Sequence, residues 1–366
     1  MDAAAFQIWL GGLETLSALQ RRLAFQRLAL CESLAGACAE DPGDCGMAEA
    51  ASVLSDAAPG CAGPVEETSA LLNRIGAGSL AELGQRRIDC MGCPHCASRD
   101  IIFWGSASAL PRYRCKNCRR TFNALTKTPL AKLQKKCKWL EQSSAMIDGR
   151  TVSKTAKRRG VHYTTAFRWR HRFLTSLSQD KPKTLSGIVE SDETFILESY
   201  KGKRSDMPRA PRKRGGKASK RGLSAEQIPI IVARDRSGAT TDAVLPKLNR
   251  VSIAAALGGV VTPANQFCCD GGTAIVAFAK KAGIPAHVLP APGNPSPEAP
   301  HLHINNVNAY HSRLKGWMRR FQGVATKNLP NYLGWRRTLE ALGADAKPQD
   351  WILGAIGLGP YQQITP

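Results

Sequence analysis

The apolar and polar positions of the chain fall into three regimes. Phe6, Leu10, Leu13, Leu16, Leu19 and Leu23 recur every three or four residues, which predicts an amphipathic helix over 1 to about 35, with Gly11 and Gly12 weakening its first turns. Ala, Gly, Asp and Pro then dominate from Cys31 to Pro64, the composition of a linker, and a short helix is expected over 65–83. Helical spacing returns in a basic stretch from Leu130 to Asp148. It continues in GRTVSKTAKRRGVHYTTAFRWRHRFL, where Ala156 would pack inside one helix, Gly160 would turn the chain and Thr164 to Leu174 would form a second helix. Thr175 to Pro182 reads as a linker.

Beyond it the period shortens to that of strands. Ile188, Val189, Thr194, Phe195 and Ile196 predict a strand with Glu190, Asp192 and Glu193 in its middle, Asp192 on one face and Glu193 on the other. Ile228 to Ala233 and Ala239 to Leu245 predict two more strands, joined by the turn Asp235 to Gly238. A short helix at Val251 to Gly258, a strand at Gln266 to Cys269, a helix at Thr273 to Ala282 and a strand at Ala286 to Leu289 follow. Pro290 to Pro300 reads as a loop before a last helix from about Asn305 to Arg320. The implied class is α/β with a mixed sheet.

Composition sharpens this picture. Lys and Arg total 51 against 29 Asp and Glu, a net charge of +22. Residues 1–89 hold six basic and twelve acidic side chains, so the basic character belongs to the remainder. A body of that kind points to a polyanion, most often nucleic acid. No apolar run reaches the roughly 18 residues that a membrane span needs, and MDAAAFQIWLGGLE lacks the basic start of a secretory leader. The chain is therefore expected in a reducing cytoplasm, where twelve cysteines favour metal binding over disulfides.

Two constellations carry chemistry. Cys93 and Cys96, then eighteen residues, then Cys115 and Cys118 are two C-x-x-C knuckles separated by IIFWGSASALPRYR, which reads as a hairpin. Four thiolates close a tetrahedral Zn²⁺ site with no open position, a structural zinc ribbon. Cys90 lies three residues upstream and competes with Cys93 for the first pair. The second constellation is Asp192, Asp270 before Gly271 and Gly272, and the helix face of Asn308, His311, Ser312 and Lys315 at i, i+3, i+4 and i+7. Carboxylate oxygens suit Mg²⁺ or Mn²⁺, and a lysine suits a phosphate. Asn305 and Glu190 stand as alternative third ligands, and His301 and His303 read as loop residues.

SDETF, CDGG and HINNVNAYHSRLKGWMRRFQG resemble, in that order, the catalytic core of bacterial insertion-sequence transposases, in particular the zinc-ribbon family numbered fifteen ninety-five. The resemblance spans roughly residues 90 to 340. It implies a ribonuclease H-like core in which Asp192, Asp270 and Asn308 hold catalytic Mg²⁺ or Mn²⁺ and Lys315 contacts the substrate phosphate. The expected organisation is a helical region with linker over 1–88, a zinc ribbon over 89–125, a helix-turn-helix over 126–180, the ribonuclease H-like core over 185–340 and a tail over 341–366. Tyr163, Thr164, Thr165, Arg168 and Arg172 on the second helix, with Arg119 and Arg120 at the ribbon, would meet DNA. The implied activity is metal-dependent cleavage and strand transfer at transposon ends by a homo-oligomer on double-stranded DNA, in a bacterial cytoplasm at the nucleoid. A DNA-binding regulator without catalysis and a nuclease that cuts without joining are the competing classes.

Overall fold

Alternation along one strand explains the architecture. In β5 (Gln227–Asp235), Ile230 and Val232 are buried in one apolar core while Ile231 and Ala233 are buried in another, so helices must cover both faces of the sheet it joins. The computed structural model describes residues 80–362 except 108–109, 204, 211, 213–215, 221–223 and 291–298. The expected helix over 1–35, the 31–64 linker, residues 65–79 of the helix expected over 65–83 and most of the 290–300 loop lie outside the described residues, whereas residues 80–91 are helical.

The sheet has five strands in the order β6 (Thr240–Val244), β5, β4 (Ile188–Leu197), β7 (Gln266–Cys269), β8 (Ala286–Val288). The pairs β4–β5 and β5–β6 are antiparallel, whereas β7 runs parallel to both β4 and β8. This mixed α/β arrangement, three meandering strands followed by two parallel ones, is consistent with the ribonuclease H-like core expected from the sequence. Two helices, α4 (Arg250–Leu257) and α5 (Thr273–Ala282), bury Ile253, Leu257, Ile275 and Phe278 with Ile231 and Phe267. On the other face α6 (Asn305–Arg319) buries Val307, Tyr310 and Leu314 with Ile230, Val232 and Cys268.

Ahead of this sheet stands a second one of three antiparallel strands, β1 (Ile101–Ala107), β2 (Leu110–Cys115) and β3 (Thr121–Asn123). Among the described residues its small core holds Ile88, Cys93, Tyr113, Cys115, Phe122 and Ala124, with Ile101 and Cys118 packed against it. Helices α1 (Trp139–Ile147), α2 (Val152–Arg158) and α3 (Tyr163–Gln179) follow. Thr151 caps α2 by accepting from the Lys154 N–H, and Gly160 turns the chain at positive φ before α3.

Three sequence expectations need correction. The helix expected from Leu130 begins only at Trp139, because Lys132 and Lys135 take left-handed φ of 62° and 53° that no α-helix contains. The expected linker from Thr175 is instead the end of α3, which runs to Gln179 because Leu177 is buried with Leu174. The stretch read as a tail carries a helix, α8 (Pro348–Ala355), and α7 (Leu329–Leu342) precedes it. Trp335 and Trp351 from these two join Trp139, Phe173 and Trp317 in one core. Arg337, almost fully buried, donates to the carbonyls of Asp180, Leu177 and Ser178 and pairs with Asp242, whose other oxygen accepts from Tyr310. That network fastens α3 to the sheet.

Candidate active site and metal centres

Register brings the two aspartates together. β7 pairs with β4 through Val189 against Phe267 and Glu190 against Cys268, so two further residues along each strand set Asp192 beside Asp270. Parallel neighbours lie about 4.8 Å apart. Gly271, at φ 87°, then turns the chain away. Carboxylate oxygens of Asp192, Glu193 and Asp270 all lie within 4.8 Å of one another.

Glu193 was expected on the opposite face from Asp192, yet its carboxylate joins the group. β7 pairs with β4 only as far as Glu190, so the edge of β4 beyond that point is open and the longer Glu193 side chain reaches round it. Gly272 packs against this group: a Cβ there would lie 3.5 Å from both Glu193 oxygens and 3.4 Å from Asp270 Oδ1, ordinary contact distances. The Gly272 N–H donates to Asp270 Oδ1 at 3.1 Å and fixes that carboxylate.

Three carboxylates so close repel one another. Burial first, then the charges of Asp270 and Asp192, push Glu193 up to about 7. Glu193 Oε2 is buried and accepts no hydrogen bond. An orphaned buried carboxylate oxygen among like charges is what a hard divalent cation would satisfy, and the all-oxygen donor set suits Mg²⁺ or Mn²⁺. These residues therefore fit the ion that the sequence resemblance implies.

On α6, His311 is buried with Nδ1 3.4 Å from Asp192 Oδ2. Asn308 and Lys315 lie exposed on the same face, one turn either side of His311. The sequence reading placed His311 on this face without giving it a role. Glu190, an alternative ligand in that reading, is committed elsewhere. Fully buried, it accepts from the Asn306 N–H at 2.7 Å, the Asn306 side-chain amide at 2.7 Å and the Val307 N–H at 3.0 Å. It also pairs with Arg236 at 2.6 Å and faces His303 at 3.4 Å. Ile304 offers no capping side chain, so this carboxylate from β4 satisfies the free N–H groups of the α6 N-terminus.

The four cysteines of the two C-x-x-C pairs converge. The sulfurs of Cys93, Cys96, Cys115 and Cys118 lie within 4.8 Å of one another, with Cys93 to Cys118 at 3.7 Å and Cys96 to Cys115 at 3.6 Å. A zinc tetrahedron with 2.3 Å arms has edges of about 3.8 Å, and these thiols fit it. Cys90 is exposed and outside the group, which selects Cys93 for the first pair.

No family model matches the chain. Over 147 residues it is 35% identical to an uncharacterized protein in transposable element ISH50 of Halobacterium salinarum, a match that takes in 39% of this chain and 49% of that protein. The chain thus spans about half the length of the curated relative it matches. Among solved structures, a pre-cleavage Mos1 transpososome aligns over 60% of this chain and 75% of that one, at 14% identity and a TM-score of 0.23. That likeness carries no argument.

Of the residues expected at DNA, Tyr163, Thr164 and Arg168 stand exposed on α3 and Thr165 is half-buried. Arg172 is also exposed, but its guanidinium donates to the carbonyls of Pro129 and Ala131, tying α3 to the segment after the ribbon. Arg119 and Arg120 are exposed beside the second knuckle. No helix among the described residues is long and apolar enough to cross a membrane.

Proposed function

We propose that the protein is a transposase whose Asp192, Glu193 and Asp270 hold divalent cations and which cuts and joins DNA at the ends of a transposable element. The observation that carries this reading is the convergence of three carboxylates beside a parallel strand pair, one oxygen orphaned, in a chain of net charge +22. The similarity to a protein of a transposable element supports it. Glu193 is added to the ligands that the sequence suggested, and Asn308 and Lys315 are retained on the facing helix.

Each side chain has a task. Asp192 and Asp270 would hold the ions from the strand ends, with Glu193 closing the third side. His311 faces Asp192 Oδ2 from α6 at 3.4 Å and would position that carboxylate. Lys315 would contact the phosphate as a point charge, and Asn308 would offer an amide oxygen. Magnesium or manganese bound there supplies Lewis acidity, lowering the pKa of an attacking hydroxyl and stabilising the leaving oxygen. The ribbon, held by Zn²⁺, and the α2–α3 pair, read as a helix-turn-helix, would bind the transposon ends through Arg119, Arg120, Tyr163, Thr164, Thr165 and Arg168. Arg172 serves the packing of that unit. Double-stranded DNA, as both ends and target, is the partner, and the assembly on it is a homo-oligomer.

The test is an in-vitro reaction of purified protein with a plasmid carrying the DNA that flanks the coding region. Cleavage at that boundary and joining to a second plasmid, both requiring Mg²⁺ or Mn²⁺, are expected. Binding without cutting would leave a regulator, and cutting without joining would leave a nuclease.

A further inference from the structure

A cavity of about 820 Å³ opens beside the acidic cluster, between the end of β4, the segment that follows it and the last turns of α6. Phe195 on its wall is three residues beyond Asp192, about 10 Å along the strand. Lys315 at its lip is four residues beyond His311, about 6 Å along the helix. One nucleotide step in a stacked strand is about 3.4 Å. The cavity thus lies within about three nucleotide steps of the carboxylates.

Its chemistry is mixed in a particular way. Phe195, Leu197, Met207, Met318 and Val324 present apolar surface, while Lys201, Lys203, Arg209, Arg212, Lys315 and Arg319 supply six positive charges. The single acid in the lining, Glu198, is already engaged by Tyr200 and Arg209. Arg212 pairs with Glu226 at 3.3 Å and Arg209 with Glu198 at 3.9 Å, whereas neither Lys315 nor Arg319 pairs with an acid among the described residues. The wall is fixed in advance, because Lys201 donates to the carbonyls of Phe321, Gln322 and Gly323 just past α6. Such preorganisation lowers the entropy lost on binding.

Size decides what can enter. A cube of this volume measures on the order of 9 Å on a side, less than the roughly 12 Å width of the DNA major groove alone, so a paired duplex is excluded. A duplex lying across the mouth would use the cations and leave the apolar depth empty. A single base with its phosphate uses both, the ring against Phe195, Met207 and Met318 and the phosphate at the cationic rim.

Resting on the transposase reading, we propose that this cavity receives one nucleotide rotated out of the duplex within about three steps of the phosphate that is cut. The pocket holds the strand after the base leaves the stack, and so keeps the phosphate to be cut at the carboxylates.

The experiment compares two fluorescein-labelled duplexes of about 24 base pairs, one fully paired and one with a single unpaired 2-aminopurine at its centre. Full-length protein is titrated with each in Ca²⁺, which holds the DNA uncut. The unpaired duplex should bind about tenfold more tightly, a preference in the range that stacking of one base supplies, with a change in 2-aminopurine emission on binding. Met207→Trp, which fills the cavity from a half-exposed position, should abolish the preference and the emission change while the paired duplex binds as before. Equal affinities with unchanged emission in the native protein, or a preference that survives Met207→Trp at unchanged melting temperature, would overturn the proposal. Paired DNA bound and cut while the unpaired base is ignored would remove this pocket and leave the transposase reading standing. Failure to bind either duplex would remove both.

Discussion

Glu190→Gln tests how the facing helix is held over the acidic strand. The native carboxylate accepts three hydrogen bonds from Asn306 and Val307 and pairs with Arg236, all inside a fully buried site. A glutamine keeps the shape but turns one acceptor into a donor that faces other donors, and it leaves the Arg236 guanidinium without its counter-charge. Removing one partner of a buried ion pair costs about 3–5 kcal/mol, and losing a helix cap about 0.5–2 kcal/mol. The two overlap, and Arg236 is partly exposed with a second tie to the His301 carbonyl, so about 3 kcal/mol is the expected loss. For a unit of this size that is about 6–12 °C in melting temperature. DNA cleavage should fall as well, because α6 carries His311 and Lys315, while binding through the ribbon and α3 is retained. Combining Glu190→Gln with Arg236→Gln should cost clearly less than the two singles added together. A Glu190→Gln protein that melts within about 1 °C of the native one and cuts at its rate would show that this carboxylate does not hold α6 in place.

Gly272→Ala places a methyl group 3.4 Å from Asp270 Oδ1 and 3.5 Å from the Glu193 oxygens, ordinary contacts at an ordinary φ of −50°, so fold and cleavage should both stay near native; melting curves and single-turnover cutting measure the two separately. Mercurial titration should release one zinc ion per chain, Cys93→Ser should lose it and Cys90→Ser should keep it, since only the former sulfur lies in the cluster. Burial, then Arg170 and Lys327, lowers His171 to about 4, so the unfolded chain binds the extra proton between pH 6.5 and 4 and stability drops as pH falls through that window. Discounted for partial exposure, the loss is about 1–2 kcal/mol, and His171→Gln should show a shallower decline in melting temperature from pH 7 to 4.5.

Much of the sheet was legible because its signals are local. The apolar run before Asp270 and the two glycines after it marked a strand end, and the acids within Gly187 to Ile196 marked a strand with a task. Glu193 escaped because alternation gives the face a side chain leaves from, not where a long one ends once the neighbouring strand, here β7, stops short. Helix α7 escaped because LPNYLGWRRTLEAL contains Pro330 and Gly334. The proline sits in the first turn, where it costs nothing, and the glycine is where α7 meets α3, a Cβ there lying 2.6 Å from the Leu177 carbonyl oxygen. Arg172 looked like a DNA contact because the carbonyls it bonds, at Pro129 and Ala131, come from a distant segment that no periodicity reveals. Glu190 is the same kind of case: its partners are 116 residues away.

In the proposed reaction Asp192, Glu193 and Asp270 act together on a divalent cation to cut DNA. Mg²⁺-dependent nicking of DNA carrying the element's flanking sequence, by the native protein and by Asp270→Asn at matched melting temperature and matched DNA affinity, tests it most directly. Cutting by the native protein and a loss of about a thousandfold or more in the variant are expected. Cutting by Asp270→Asn at the native rate would contradict it.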